Sequence, residues 1–286
     1  MGTYLSQPNL EKDLIEGISS NQKLSYWISE MQGWRATMED NTIHYPNFDD
    51  NIALFGIFDG HGGNEASMFV KENFAIELKI NKYYIKKQYI KALEETFLKM
   101  DSLMHNENNI QSGCTAIVAL FCNQTLYVAN SGDCRSLLLK TNGEIFVMNK
   151  EHKPEDKKEM ERIINSGGVV LNGRVNEILN LTRALGDLTY KQNPFNNPKT
   201  QIISGFPDVV EKSIDQEYVF LLIGCDGVFE SLTDFEIRDL LLDDLIDEIN
   251  ESVIINNLLD KCIYKGNKPG GPGCDNMSAI LIKLNY

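Results

Sequence analysis

The order of apolar patterns along this chain rules out a regular alternation of strand and helix. Alternating or wholly apolar strand patterns fall at Leu24–Ser29, Ile52–Phe58, Thr115–Leu120 and Thr125–Ala129. Ser136–Leu139 and Ile145–Met148 read as a hairpin across Thr141-Asn142-Gly143. Val219–Ile223 and Ser278–Leu284 complete the set of strands. Helical spacing falls at 64–79 and 86–104, at Pro154–Asn165, and at 233–249 and 251–264. Ala66, Phe69, Val70, Phe74 and Leu78 share one face of the first helix. Gly167-Gly168 stops the helix that begins at Pro154. Strands therefore come in adjacent runs with helices in pairs between them, which points to antiparallel sheets with helices outside. Residues 1–22 are polar and without clear period, and read as an arm that packs late or stays mobile. The loosest internal stretch, rich in Asn, Pro and Lys, reads as a surface flap around 188–208. There is no repeat or interdomain linker, so 23–286 is expected to be one domain.

Composition narrows the functional classes. Hydrophobic residues make up 42% of the 286, enough for a sizeable core, and no apolar run approaches the roughly 18–20 residues of a membrane span. The net charge of −14, with no Lys/Arg cluster, argues against nucleic acid as a partner. Six cysteines without a C-x-x-C pair suggest reduced thiols in a cytoplasmic setting. Only four histidines are present, too few for a His-rich metal cage. Met1-Gly2-Thr3-Tyr4-Leu5-Ser6 fits the N-myristoylation pattern at Gly2, and a single acyl chain would give weak membrane association. Nothing demands more than a monomer.

The chemistry is concentrated where apolar strands run into acidic residues. Mn²⁺ and Mg²⁺ prefer carboxylate, carbonyl and water oxygens. Phe58-Asp59-Gly60-His61-Gly62-Gly63 places a carboxylate at a strand end, able to bridge two cations. Gly60 there permits close approach of the backbone, whose carbonyl can also coordinate, and His61 is placed as a general acid. Gly224-Cys225-Asp226-Gly227 and Cys274-Asp275-Asn276 repeat the pattern of strand and acid. In Gly33-Trp34-Arg35-Ala36-Thr37-Met38-Glu39-Asp40, an arginine suited to gripping a phosphate dianion precedes two carboxylates able to hold a cation or its waters. Each segment alone could be a turn or a surface salt bridge. Thr182-Arg183-Ala184-Leu185-Gly186-Asp187 carries no functional signal by its physics.

Together these segments resemble the metal-dependent Ser/Thr protein phosphatases of type 2C. The resemblance runs in order over residues 24–286. It includes Gln32–Arg35 with Met38–Asp40, Phe58–Gly63, Ser112–Ala116, Ala129–Arg135, His152-Lys153-Pro154, Gly167–Val169, Arg174–Asn176, Thr182–Asp187, Cys225–Val228 and Asp275–Ser278. It implies an α+β fold, a central β-sandwich of two antiparallel sheets flanked on both sides by α-helices. It implies two Mn²⁺ or Mg²⁺ ions bridged by Asp59, with the Gly60 carbonyl on one ion, Asp226 and Asp275 on the other, and Glu39 holding a metal-bound water that Asp40 orients. Arg35 would bind the substrate phosphate and His61 would protonate the departing Ser or Thr oxygen. Where the family has an Asp that helps hold a third, weaker cation, this chain has Glu151. Cys114 and Thr182 stand where Ser is usual, and Pro269-Gly270-Gly271-Pro272-Gly273 makes the approach to Asp275 richer in glycine. Asp133 and Asp187 are expected to serve structural hydrogen bonds.

The resulting expectation is an enzyme that hydrolyses phosphoserine and phosphothreonine in proteins through a metal-activated water. Two alternatives are a binding module that has lost activity and a two-metal nuclease or small-molecule phosphoesterase. Retention of Asp59, Asp226 and Asp275 argues against the first, and the acidic charge and ordered motifs argue against the second.

Overall fold

A computed structural model describes residues 3–107, 109–246, 249–267 and 269–285. Gly2 and the end of the expected 233–249 helix, 247–248, lie outside the described residues. Two antiparallel sheets carry the fold. The first contains β1 (Tyr4–Ile18), β2 (Leu24–Arg35), β7 (Arg135–Lys140), β8 (Ile145–Val147), β10 (Tyr218–Gly224) and β11 (Met277–Leu284), in the order β1-β2-β11-β10-β7-β8. The second contains β3 (Asn41–Asp49), β4 (Ile52–Phe58), β5 (Ala116–Cys122), β6 (Thr125–Ser131) and β9 (Asp208–Ser213), in the order β9-β6-β5-β4-β3.

Helices cover both outer faces. On the second sheet lie α1 (Glu65–Ile80) and α2 (Tyr89–Met104), which pack Val70, Phe74, Leu78, Leu93 and Phe97 against Leu54 and Phe58 of β4. The neighbouring residues of β4, Phe55 and Ile57, point the other way into the inter-sheet core. Strand alternation thus places β4 in two cores, which is why its sequence is apolar without a break. Against the first sheet lie α4 (Asp234–Ile246) and α5 (Glu251–Cys262), through Ile237, Leu241, Ile255 and Leu259. A smaller cluster of Ile163, Val175, Leu181, Ala184 and Ile203 gathers around α3 (Lys157–Asn165), whose N-terminus is capped by Asp156. Among the described residues, no helix is long and apolar enough to cross a membrane.

The α+β sandwich matches the expected architecture, with differences: the helix expected from Pro154 begins at Lys157 after its Asp156 cap, and three others follow. The N-terminal stretch is a strand rather than a late-packing arm. β1 pairs antiparallel with β2 from Ile18–Ser25 to Tyr4–Arg35, with irregularities on either side of Asn9. Its period is blurred because it is an edge strand, partly exposed on both faces and interrupted by bulges. The second helix begins only at Tyr89, because Lys87 adopts φ +58°; an isolated turn, Lys82–Ile85, capped by Asn81, precedes it. The flap region contains two short 3₁₀ turns, Leu188–Tyr190 and Pro198–Thr200, and is tied down by the Lys191–Asp101 ion pair at 2.7 Å.

Candidate active site

Both sheets end in acid at the same edge of the sandwich. From the first sheet, β2 ends at Arg35, β10 runs through Cys225 to Asp226, and Asp275 lies two residues before β11. From the second, β4 ends beside Asp59 and β6 leads through Gly132 to Asp133. Arg35, Glu39, Asp59, Gly60, His61, Asp133, Asp226 and Asp275 line one cleft of about 380 Å³. The expected ligands and the phosphate-binding arginine are therefore brought together from segments more than two hundred residues apart.

Close backbone packing sets the geometry. A β-carbon on Gly60 would collide with the Glu39 carbonyl oxygen, and one on Gly227 with the Asn276 carbonyl oxygen. The 113–115 segment pairs with Gly60 and His61, and the Thr115 N–H donates to the Asp59 carbonyl at 2.9 Å. The Glu39 carboxylate accepts from the Gly63 N–H at 3.2 Å and from the Thr37 hydroxyl at 2.8 Å. Asn276 ties the loop before β11 to the 32–39 segment: its Oδ1 accepts from the Glu39 N–H at 2.9 Å, and its Nδ2 donates to the Gln32 and Thr37 carbonyls at 2.9 and 3.0 Å. The sequence had marked Asn276 only as part of a motif.

The electrostatics are those of crowded anions. Desolvation, then the charges of Asp40, Asp226, Asp275 and Asp133, push Asp59 well above the usual carboxylate range. Desolvation and neighbouring carboxylates, Asp133 first, do the same to Asp226. Asp59, Cys225 and Asp226 present ligand atoms within 4.8 Å of one another. Asp133 is pushed up to about 6, mainly by burial, and its Oδ2 has no hydrogen-bond partner among the described residues. Repelling carboxylates, and a buried oxygen with no hydrogen bond whose cationic neighbour, Lys153 Nζ, stands off at 4.0 Å, are features that hard divalent cations neutralise, so the donor set fits Mn²⁺ or Mg²⁺. Arg35 pairs with Asp275, and its Nε is buried without a hydrogen-bond partner among the described residues.

His61 is placed by Asp187. Its Nε2 lies 2.7 Å from Asp187 Oδ2. Burial alone would lower the His61 pKa, but the Asp187 hydrogen bond and charge, with Asp133 and Glu39, outweigh it and the net shift is upward. Asp187 sits at φ +49°, and a β-carbon on Gly113 would meet both Asp187 Oδ2 and His61 Nε2 at 2.5 Å. The expected structural hydrogen bond of Asp187 thus acts on a cleft side chain.

Two sequence expectations are placed elsewhere. Asp40 does not line this cleft. It is buried behind it, accepts from the Ser278 hydroxyl at 2.8 Å, and burial pushes it up to about 7. Glu151 is also outside the cleft, in ion pairs with Lys153 at 3.1 Å and Arg135 at 3.5 Å. The acidic side chain in the cleft from that part of the chain is Asp133. Its signal was present, since Ala129-Asn130-Ser131-Gly132-Asp133 is another strand delivering Gly and Asp.

Fold and cleft together are those of a two-sheet sandwich with a carboxylate-rich cleft suited to divalent cations. A model of the family described as Protein phosphatase 2C matches residues 24–269. "Probable protein phosphatase 2C 6" of Paramecium tetraurelia is 44% identical over 99% of this chain and 100% of its own length. "Probable protein phosphatase 2C 60" of Arabidopsis thaliana is 32% identical over 99% of this chain and 92% of its own. A solved phosphatase from Toxoplasma gondii shares the fold, with a TM-score of 0.81 at 20% identity and 96% of each chain covered. The chain belongs to the protein phosphatase 2C family.

Proposed function

We propose that this chain hydrolyses phosphoserine and phosphothreonine in proteins at a centre of two divalent cations, Mn²⁺ or Mg²⁺. The observation that carries the reading is the convergence of Asp59, Asp226, Asp275 and Glu39 with Arg35 and His61 in one cleft. Asp59, the Gly60 carbonyl, Asp226 and Asp275 would hold the cations, with Glu39 bordering them. Bound there, the cations would supply Lewis acidity to the phosphoryl group and lower the pKa of water at neutral pH.

The chain's own residues do the rest. Arg35, at the cleft wall, orients the phosphoryl group through its guanidinium. His61, with Nε2 committed to Asp187, has Nδ1 left to donate a proton to the departing Ser or Thr oxygen. The Asp187 hydrogen bond and charge raise the imidazole's proton affinity against the opposing effect of burial. Asp40, behind the cleft and bonded to Ser278, is a positioning residue for the floor. Asp133 is better placed than Glu151 to reach any further cation.

Six unpaired cysteines support a reducing, cytoplasmic setting, and the Met1–Ser6 pattern supports Gly2 acylation with weak membrane association. The first test is phosphate release from a phosphothreonine peptide in Mn²⁺, in EDTA, and by Asp59→Asn in Mn²⁺. Turnover should need the metal and fall by roughly 10²-fold or more in the variant. Turnover indifferent to both chelation and Asp59 would sink the mechanism.

A further inference from the structure

His61 belongs to a short three-stranded ladder. Leu185–Gly186 pairs with Gly113–Cys114, which pairs in turn with Gly60–His61. Asp187 leaves one edge of this ladder and reaches across Gly113 to His61 on the other. The turn that lets it do so is strained. Gly186 at φ +75° and Asp187 at φ +49° are both left-handed, a conformation that only glycine adopts freely. Such a turn persists where its surroundings over-determine it.

The surroundings come from α2. Asp101, near the end of that helix, accepts from the Gly186 N–H at 2.9 Å through Oδ1 and from Lys191 Nζ at 2.7 Å through Oδ2. Lys191 Nζ also donates to the Ala184 carbonyl at 2.7 Å. One ion pair therefore holds the backbone both before and after Asp187. Its side chains are only 13% and 8% exposed, and burial pushes the Asp101 carboxyl up in spite of Lys191 and the Gly186 N–H. A buried pair of this kind is a poor source of net stability, because desolvation offsets the attraction. Neither residue lines the cleft, so any effect on the chemistry passes through the turn.

We propose that Asp101 and Lys191 are positioning residues for proton donation: they fix the turn at Asp187, and Asp187 holds His61 toward the departing oxygen. The proposal rests on the phosphatase reading above and extends its machinery to α2. Hydrolysis breaks the bond between phosphorus and the Ser or Thr oxygen. That oxygen keeps the electron pair and takes the His61 proton. The attacking water bonds to phosphorus and releases one proton to solvent, from which His61 is reprotonated. A departing alkoxide needs the proton, whereas para-nitrophenolate leaves readily without it. That difference separates the aim of the acid from the rest of the cleft.

The test uses the full chain in Mn²⁺, with a phosphothreonine peptide and para-nitrophenyl phosphate as substrates. A placed general acid contributes roughly 10²–10⁴-fold, so Asp101→Asn or Lys191→Met should lower kcat on the peptide by about tenfold or more, with KM held. On para-nitrophenyl phosphate the same variants should lose less than about twofold. In a His61→Ala background, Asp101→Asn should lower the peptide rate no further, because residues that act through one group are not additive. Equal losses on both substrates, no loss on the peptide, or a further loss in the His61→Ala background overturns the proposal while the phosphatase reading stands. Should Asp101→Asn fail to fold by its urea midpoint, Lys191→Met carries the test. Failure of both to fold assigns the pair to stability, and also overturns the proposal. A wild-type chain that does not turn over the peptide overturns the phosphatase reading, and this proposal with it.

Discussion

Asp187 shows how one residue outside the expected catalytic set can govern another. It sits in a left-handed turn, within hydrogen-bond reach of His61, and its charge raises the proton affinity of the imidazole. Asp187→Asn keeps the shape and removes the charge. The His61 pKa should then fall, so the protonated acid is lost at a lower pH. The alkaline limb of the pH–rate profile should shift down by roughly one unit, the order of effect of an adjacent carboxylate. An unmoved limb would mean that Asp187 is only structural. Asp59, Asp226 and Asp275 were legible in the sequence because each follows or precedes an apolar strand and carries Gly or Asn beside it. Asp187 was not, since its partner His61 lies 126 positions away and its local sequence looks like an ordinary turn. Glu151 was misplaced for the converse reason. Its neighbours Lys153 and Arg135 satisfy it before the cleft can.

At the scale of elements, α3 is joined to the second sheet by buried charge. Burial would push Glu159 up, but Arg183 and Arg162 outweigh it, with help from the Thr182 hydroxyl, and hold it at about 2. Arg183 makes three contacts with that carboxylate, from 2.6 to 3.2 Å, and also reaches Asp208 on β9 at 2.9 Å. A depressed carboxylate pKa stabilises the fold above the unfolded value of roughly 4.3, and that stability is lost as pH falls toward 2. Glu159→Gln leaves two arginines without their buried anion. It should lower unfolding free energy by roughly 3–5 kcal/mol at neutral pH, read from the urea midpoint. A loss below about 1 kcal/mol would mean that the network relaxes into water. Helix α3 was legible from its apolar spacing and its glycine stop, but this network was not. Its members come from 159, 162, 183 and 208, and no local period links them.

At the scale of the whole molecule, the sandwich works by bringing like ends of two sheets to one edge, so that strands distant in sequence deliver their terminal acids together. The sequence supplied the strands and the acids, but the convergence followed only from resemblance, because period alone does not set the order β1-β2-β11-β10-β7-β8. The N-terminus is where reading by period fell short. β1 covers the outer edge of β2, packs Ile15 against the inter-sheet core, and anchors to α5 through Lys12–Asp260 at 2.6 Å. It also brings Thr3 and Tyr4 to the cleft. Removal of residues 1–18 should therefore have two effects. Stability should fall by at least about 2 kcal/mol, the contribution of one buried aliphatic side chain, and the bared edge of β2 should promote association. KM for a phosphopeptide should rise because Arg35 loses the ring beside it. A truncated chain with the parent urea midpoint, the same sedimentation and the same KM would show that these residues are the loose arm their composition suggests. A fallen midpoint with a raised KM would establish β1 as a strand that both closes the sheet and shapes the cleft.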